Sequence, residues 1–415
     1  MPKIENLIAR QIIDSRATPT VEADILFEDG SFGRASVPSG ASTGEYEAKE
    51  IRDGDPDEFD GLGVKQAIAS IEGEIRKQLI GKEFSQEGLD QELIALDGTE
   101  DKSRLGGNAI LAVSLAFAKA DAYHHATMLY EHIGAMFPEY EEMPRPMFNI
   151  INGGAHADSG LSFQEFMIVP QMKSFEEEFK CGVEIYNSLK LLLKEMGYKT
   201  SVGDEGGFAP ALESNEQALE LIMEAGRLAG YTAGEDHWLA LDIAANELKD
   251  ENGYLHQGKY LNTENFLGEI AKLSKNFPIM SIEDPLSEDD EDGFFQLNKL
   301  IGEDILIVGD DLLVTDPAKI EDAGNRKIVN SVIIKPNQIG TVSETLEAIM
   351  TANSHKMVSI FAHRSGETED TAIAHLAVAS RVPLVKFGAP ARGERVAKYN
   401  ELFRIEKDIE IREQE

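Results

Sequence analysis

The chain has 415 residues, with 75 acidic against 39 basic side chains and a formal net charge of −36. A field of that sign repels a phosphate polyanion, because nucleic-acid affinity rests on Lys and Arg displacing counterions, and this argues against general nucleic-acid binding. With 42 % hydrophobic and 27 % charged residues, the composition suits a large buried core, one large unit beside a smaller one, and not a disordered acidic chain.

The single cysteine, Cys181, permits no internal disulfide, which fits a reducing compartment. The start, Met1-Pro2-Lys3, shows no basic segment followed by an apolar one. The longest near-apolar stretch, Ala109 to Ala118, contains Ser114 and is too short to span a bilayer. Neither a signal peptide nor a transmembrane segment is expected, and a cytoplasmic location is; display at a cell surface is not legible.

Apolar and polar residues alternate from Thr20 to Phe27, break at Glu28-Asp29-Gly30 and resume from Ser31 to Ala35, which predicts an antiparallel hairpin. Helical spacing follows over Val64–Leu79 and over Asn108–Ala122, where Ile110, Leu111, Val113, Leu115 and Phe117 predict a mostly buried helix. This part reads as a compact α+β unit. Pro144 and Pro146, after the acidic run Glu139 to Glu142, make 134–146 the linker candidate. The expected domains are 1–134 and 135–415.

Beyond Gly134 the rhythm changes, and short apolar runs each end on a polar or ionisable residue. The ends are Asp242, Glu283, Asp310, Lys335, His363 and Lys386, and from Glu283 onward they recur every 23 to 28 residues. That is the length of one strand, one helix and two short loops. Helix starts fall between them, at Asp316-Pro317 and at Thr341-Val342-Ser343-Glu344. Repeated units with near-continuous apolar strands predict a parallel sheet closed into a TIM-like (β/α)8 barrel, its C-terminal strand ends converging on one cavity. No Gly-x-Gly-x-x-Gly follows a strand to support an open doubly wound sheet.

Asp242, Glu283 and Asp310 offer hard oxygen ligands suited to Mg²⁺. One strand-end acid commonly just caps the next helix, but three in register followed by two lysines favour a metal. Beside a divalent cation Lys335 is expected to have a lowered pKa and to serve as general base, while Lys386 holds an anionic substrate. Glu205, flanked by glycines in Ser201–Gly207, is the candidate acid partner. His156 and the run His363-Arg364-Ser365-Gly366 offer donors to a phosphate or carboxylate, although a lone histidine is more often a structural hydrogen-bonder. Cys181 reads as structural.

The chain closely resembles the enolase family over essentially its full length. The resemblance is carried by Asp14-Ser15-Arg16 with Pro19-Thr20-Val21-Glu22, Ser39-Gly40-Ala41-Ser42-Thr43-Gly44, Asn149-Ile150-Ile151-Asn152-Gly153-Gly154 and Gln164-Glu165-Phe166-Met167. It continues through Gly203-Asp204-Glu205-Gly206-Gly207, Ser281-Ile282-Glu283-Asp284-Pro285, Asn337-Gln338-Ile339-Gly340 and the run from His363 to Asp370. It implies an enolase-type barrel with a smaller N-terminal α+β domain, and reversible dehydration of 2-phosphoglycerate to phosphoenolpyruvate, a hydro-lyase reaction through a metal-stabilised enediolate. Lys335 then matches the base, and Glu205 the acid, with Glu165 in the same network. Asp242, Glu283 and Asp310 match ligands of one Mg²⁺, and Ser42 matches a mobile-loop ligand of the second. Lys386 matches the binder of the substrate carboxylate, Arg364 and Ser365 match phosphate binders, and Gln164, His156 and His363 match substrate-pocket positions. A homodimer or octamer is implied.

Four places depart from the family pattern. Ala17-Thr18 replaces a customary Gly-Asn, so the turn must avoid positive φ or carry strain. Ala362 replaces a serine before His363, removing a hydroxyl beside the pocket. His375 replaces an aspartate, and Val382–Phe387 replaces the usual approach to Lys386. Ala362 and the altered segment before Lys386 motivate an alternative, a related enzyme acting on another carboxylate. An added protein-binding role is a second alternative, against which the chain ends Arg412-Glu413-Gln414-Glu415, without a terminal lysine.

Overall fold

The computed structural model describes residues 2–41, 44–137, 142–157 and 159–412. At the N-terminus β1 (Ile4–Ile13), β2 (Pro19–Phe27) and β3 (Phe32–Ser36) form an antiparallel sheet in that order. The expected hairpin is β2 with β3, Leu26 pairing with Phe32. Alternation does not foreshadow β1, whose apolar residues fall in adjacent pairs, Leu7-Ile8 and Ile12-Ile13, so that only one of each pair can face the core. A tight turn joins β1 to β2. In it the Asp14 carboxylate accepts the N–H groups of Arg16 and Thr18, each at 2.8 Å. Ala17 sits at φ +60°, so the turn keeps the left-handed conformation and carries the strain.

Helix α1 (Lys65–Ser70) passes through a π-helical turn at Ile71–Ile75 into α2 (Arg76–Leu79), together covering the segment expected to be helical. α3 (Gln86–Asp97), α4 (Gly107–His124) and α5 (Leu129–Gly134) complete this unit. α4 is the expected buried helix. It lies so close to β3 that a Cβ on Gly33 would come within 2.0 Å of the Ala116 carbonyl oxygen.

Eight strands then close into a barrel: β4 (Arg145–Asn152), β5 (Glu165–Pro170), β6 (His237–Asp242), and, after a small sheet of β7 (Lys249–Asp250), β8 (Gly253–His256) and β9 (Lys259–Leu261), β10 (Ile279–Glu283), β11 (Leu306–Gly309), β12 (Ser331–Ile334), β13 (Val358–Ala362) and β14 (Leu384–Lys386). The barrel helices are α6 (Phe175–Glu195), α7 (Asn215–Ala229), α8 (Thr263–Asn276), α9 (Glu291–Ile301), α10 (Pro317–Arg326), the short α11 (Pro336–Ile339), α12 (Val342–Ser354), α13 (Ala372–Ala379) and α14 (Gly393–Arg412). The all-parallel expectation fails at one strand. β5 follows β4 without a helix and runs antiparallel to both β4 and β6, and α6 and α7 together make the return to β6. Among the described residues no helix is long and apolar enough to cross a membrane.

The pleat places the site. Met147, Met167, Val169, Ala240, Val308, Ile333, Ile360, Ala362 and Leu384 pack together as an apolar plug. Two residues further along their strands stand Asn149, Asp242, Asp310, Lys335 and Lys386, and two residues before Met167 on reversed β5 stands Glu165. Polar side chains therefore form the next layer, on top of a floor that cannot solvate them. Ala362 belongs to the apolar plug, where a methyl group suits its surroundings.

The departures at the other positions also have packing accounts. Lys386 stays in register with Ala362 and Met147, so the altered approach leaves it at the rim. His375 on α13 contacts the Glu401 carboxylate of α14 at 3.1 Å and stacks on Tyr130 of α5. Cys181 is buried in α6, and burial pushes its thiol up to about 12.

Two predictions follow from local packing. Ala17→Gly removes the left-handed strain and, after the greater freedom of glycine in the unfolded chain, raises stability by about 0.5–1 kcal/mol; a urea midpoint that falls contradicts it. His237 at the start of β6 is fully buried, its ring 2.6 Å from where a Cβ on Gly226 of α7 would lie. Burial pushes it down to about 4 from 6.5. The native state thus binds fewer protons than the unfolded state between those values, and stability is lost as pH falls from 6.5 through about 4, on the order of 3 kcal/mol for this group. Urea titrations across that range should show a shallower decline in His237→Phe, and an unchanged slope refutes the assignment.

Candidate active site

Glu165, Asp242 and Glu283 stand in one row on adjacent strands, Glu165 opposite Asp242 and Asp242 opposite Glu283. All three are almost fully buried. The Lys386 ammonium reaches them from across the barrel mouth, at 2.7 and 2.8 Å from the two Glu283 oxygens, 3.1 Å from Asp242 and 3.4 Å from Glu165. Burial disfavours its charge, but Asp242, Glu165 and Glu283 outweigh that and hold it well above the usual lysine range. Burial, with Asp242 next, raises Glu283.

Lys335 follows β12 and pairs with Asp310. The Asp310 carboxylate also accepts from Gln338 Nε2 at 2.8 Å, and Thr315 Oγ1 donates to Gln338 Oε1 while accepting the Lys335 N–H. Beside Asp310 the protein's own groups shift Lys335 in a definite direction. Burial pulls it down, but Asp310 outweighs burial and the net shift is upward. Asp310 is correspondingly lowered, its burial overcome by Lys335 and Lys386.

On the opposite wall two carboxylates share one environment. Burial and then the Glu205 carboxylate push Glu165 well above the usual range. Burial would do the same to Glu205, but His156, His363 and Arg395 outweigh it and hold Glu205 well below. The two shifts thus run in opposite directions, Glu165 upward and Glu205 downward. Asn149 donates to Glu205 at 2.9 Å, His363 Nε2 lies 3.4 Å from the same oxygen, and His156 Nδ1 lies 3.6 Å from Glu205 and 3.8 Å from Glu165. Burial pushes His363 down to about 3, so the ring is neutral. Arg395 of α14, fully buried, donates to His363 Nδ1 at 2.8 Å and to the carbonyls of Arg364, Ser365 and Asp204. With Nδ1 an acceptor, the ring proton sits on Nε2 and faces Glu205.

The N-terminal unit supplies the cover. Ala41 N–H donates to Ser365 Oγ at 2.7 Å, and Ser39 and Gly366 exchange backbone hydrogen bonds. Glu47, buried, accepts Arg364 Nη1 at 2.9 Å and Nη2 at 3.3 Å.

One cavity is thus lined by Glu205, Glu165, Lys335, Lys386, Asp242 and Asp310, by His156, Gln164 and His363, and by Arg364 and Ser365. Glu283 does not line it, being covered by its bond to Lys386. Ser42 lies outside the described residues. Spacing pointed to none of Glu47, Asp284, Asp311, Asn149 and Arg395. The doublets Glu283-Asp284 and Asp310-Asp311 carry the pattern that could have found two of them, and Asp284 accepts the N–H groups of Asp310 and Asp311. Burial and Asp310 raise Asp311 to about 7.

The residues fit a divalent cation in donor chemistry. Among the described residues buried Glu165 Oε2 and Gln164 Oε1 have no hydrogen-bond partner beside Asp242, and the row of carboxylates shares one ammonium, that of Lys386. The oxygens gathered within 4.8 Å of one another are those of Asp284, Asp310 and Asp311, whereas the expected trio of Asp242, Glu283 and Asp310 is divided between Lys386 and Lys335. Lys386→Met accordingly leaves buried carboxylates unpaired, and in chelator it should cost about 3–5 kcal/mol in urea unfolding, with the deficit shrinking in Mg²⁺. Equal stability in chelator contradicts this balance of charge.

Comparison with known proteins agrees with the geometry. A family model described as "Enolase, N-terminal domain" matches residues 4–133, and one described as "Enolase, C-terminal TIM barrel domain" matches 140–414. Proteins named "Enolase" from Tropheryma whipplei strains Twist and TW08/27 are each 50 % identical over 409 residues, covering 98 % of this chain and 95 % of theirs. With a closed barrel, an N-terminal cover and family models spanning nearly every residue, this chain belongs to the enolase family.

Proposed function

We propose that the protein is a glycolytic enolase, a hydro-lyase that interconverts 2-phosphoglycerate and phosphoenolpyruvate with two Mg²⁺ per site. The observation that carries this reading is the placement of Lys335 and a carboxyl pair, Glu165 and Glu205, around one cavity that Lys386, Arg364, Asp242 and Asp310 also line. Lys335 takes the C2 proton, and the carboxyl pair, Glu205 with Glu165, returns a proton to the departing hydroxyl. Neutral His363, its Nε2–H aimed at Glu205, keeps that carboxylate oriented. Lys386 meets the substrate carboxylate, Arg364 and Ser365 the phosphate, and His156 and Gln164 the remaining polar groups. Asp242, Glu283 and Asp310 would hold one Mg²⁺ and Ser42 would serve the second site; the bound metal would supply Lewis acidity toward the substrate carboxylate and favour the neutral form of Lys335. The segment around Ala41 closes over the cavity and excludes water.

The division into 1–134 and 135–415 is part of the same reading, supported by family-model bounds that leave Gly134 between them. A dimeric or octameric assembly and a cytoplasmic location are inferred from the family and from the single buried cysteine.

Ultraviolet absorbance of phosphoenolpyruvate should rise when purified protein meets 2-phosphoglycerate in Mg²⁺, and should stop in excess chelator. Lys335→Ala, folded by circular dichroism, should lose about 100-fold to 10,000-fold or more of the rate. Folded, metal-loaded wild-type protein that leaves 2-phosphoglycerate untouched would overturn the proposal and favour another carboxylate substrate.

A further inference from the structure

Away from the barrel mouth, three metal-ligating side chains converge where α4 ends and α5 begins. Asp121 lies in the last turn of α4, His125 caps that helix, and His132 lies in α5. Each presents one ligand atom, and the three atoms lie within 4.8 Å of one another. His132 Nε2 is 2.9 Å from Asp121 Oδ2, and His125 Nδ1 is 3.4 Å from Asp121 Oδ1 and 2.8 Å from the Asp121 carbonyl. The His125 and His132 rings have centroids 5.1 Å apart. None of these residues lines the cavity of the proposed active site.

Two observations go beyond proximity. Asp121 is only 5 % exposed, and its buried Oδ1 has no hydrogen-bond partner among the described residues, an arrangement that costs free energy unless something cationic satisfies it. Access is also provided, since His125 is about half exposed and opens the cluster to solvent. A tetrahedral ion with bonds of 2.0–2.1 Å separates its ligand atoms by roughly 3.3 Å, so the three atoms, within 4.8 Å of one another, draw together on binding and His125 Nδ1 gives up its contact with the Asp121 carbonyl. His124, next in line, is held instead by Asp29 at 2.6 Å and packs edge-on against His125, which restrains that ring.

We propose that Asp121, His125 and His132 form a second metal site that takes a divalent transition ion of the zinc class, with solvent completing its coordination. Two imidazoles with one carboxylate select Zn²⁺, Co²⁺ or Ni²⁺ over Mg²⁺, which prefers an all-oxygen shell. The ion joins the end of α4 to α5. It acts on stability and leaves the proposed catalytic carboxylates to Mg²⁺.

The test uses the full chain, stripped with chelator, dialysed and then held in saturating Mg²⁺ so that the barrel-mouth carboxylates are engaged. Co²⁺ is titrated while visible d–d absorption is followed, and Zn²⁺ binding is measured by calorimetry. The proposal expects one equivalent bound with micromolar or tighter affinity, weakened about 100-fold or more in His125→Ala and in His132→Ala. It also expects a Zn²⁺-dependent rise in melting temperature that both variants lose. Circular dichroism in Mg²⁺ alone checks that they fold. Absence of saturable binding, binding that Mg²⁺ competes away, or unchanged affinity in the two variants would each overturn it. The readouts are binding and melting, so the result stands apart from whether 2-phosphoglycerate is turned over.

Discussion

Mutual neutralisation of buried charge at the mouth of the barrel is the constraint on which the rest of the site depends. The apolar plug below offers no hydrogen bonds, so an ionised group in the next layer is stable only beside an opposite charge. Lys386 serves Glu283, Asp242 and Glu165; Lys335 serves Asp310; Arg364 serves Glu47; and Lys398, fully buried, serves Glu367. In a chain with net charge −36 these few cations are held in place by carboxylates at the cavity where an anionic ligand would meet Lys335, Lys386 and Arg364.

Reversal of β5 gives this layer its composition. In a wholly parallel barrel the rim is built from strand C-terminal ends alone. Because β5 runs the other way, its first residue, Glu165, reaches the rim and stands directly opposite Asp242. That puts Glu165 near Glu205, whose loop is in turn bound through the Asp204 carbonyl to Arg395. Arg395 therefore links the acid loop, His363 and the backbone of Arg364 and Ser365. One buried side chain on the last helix sets the geometry of two loops.

Much of this was legible in the sequence, for identifiable reasons. Strands buried on both faces write continuous apolar runs, so Asp242, Glu283, Asp310, Lys335, His363 and Lys386 could be read as strand ends, and their convergence follows from closure. Glu165 could not be read that way, because it opens its strand; only the family resemblance pointed to it. Arg395 lies in a helix rich in Lys and Glu, whose pattern looks like a solvated face, and Glu47 is far in sequence from its partner Arg364. The upward shift of Lys335 required knowing that Asp310 is its immediate partner. At Ala17 the sequence posed a choice between a changed turn and strain, and the Asp14 carboxylate, capping two N–H groups, holds the strained form. Ala362 and His375 became intelligible once their neighbours, an apolar plug and Glu401, were known.

The proposed reaction sets a base on one wall of the cavity apart from an acid pair on the other. Proton NMR of 2-phosphoglycerate in deuterated water with Mg²⁺ tests it most directly, by following loss of the C2 hydrogen signal apart from dehydration. Glu205→Gln should still exchange the C2 hydrogen while failing to form phosphoenolpyruvate, and Lys335→Ala should do neither. Exchange that survives in Lys335→Ala would contradict it, because the proton would then leave to some other group.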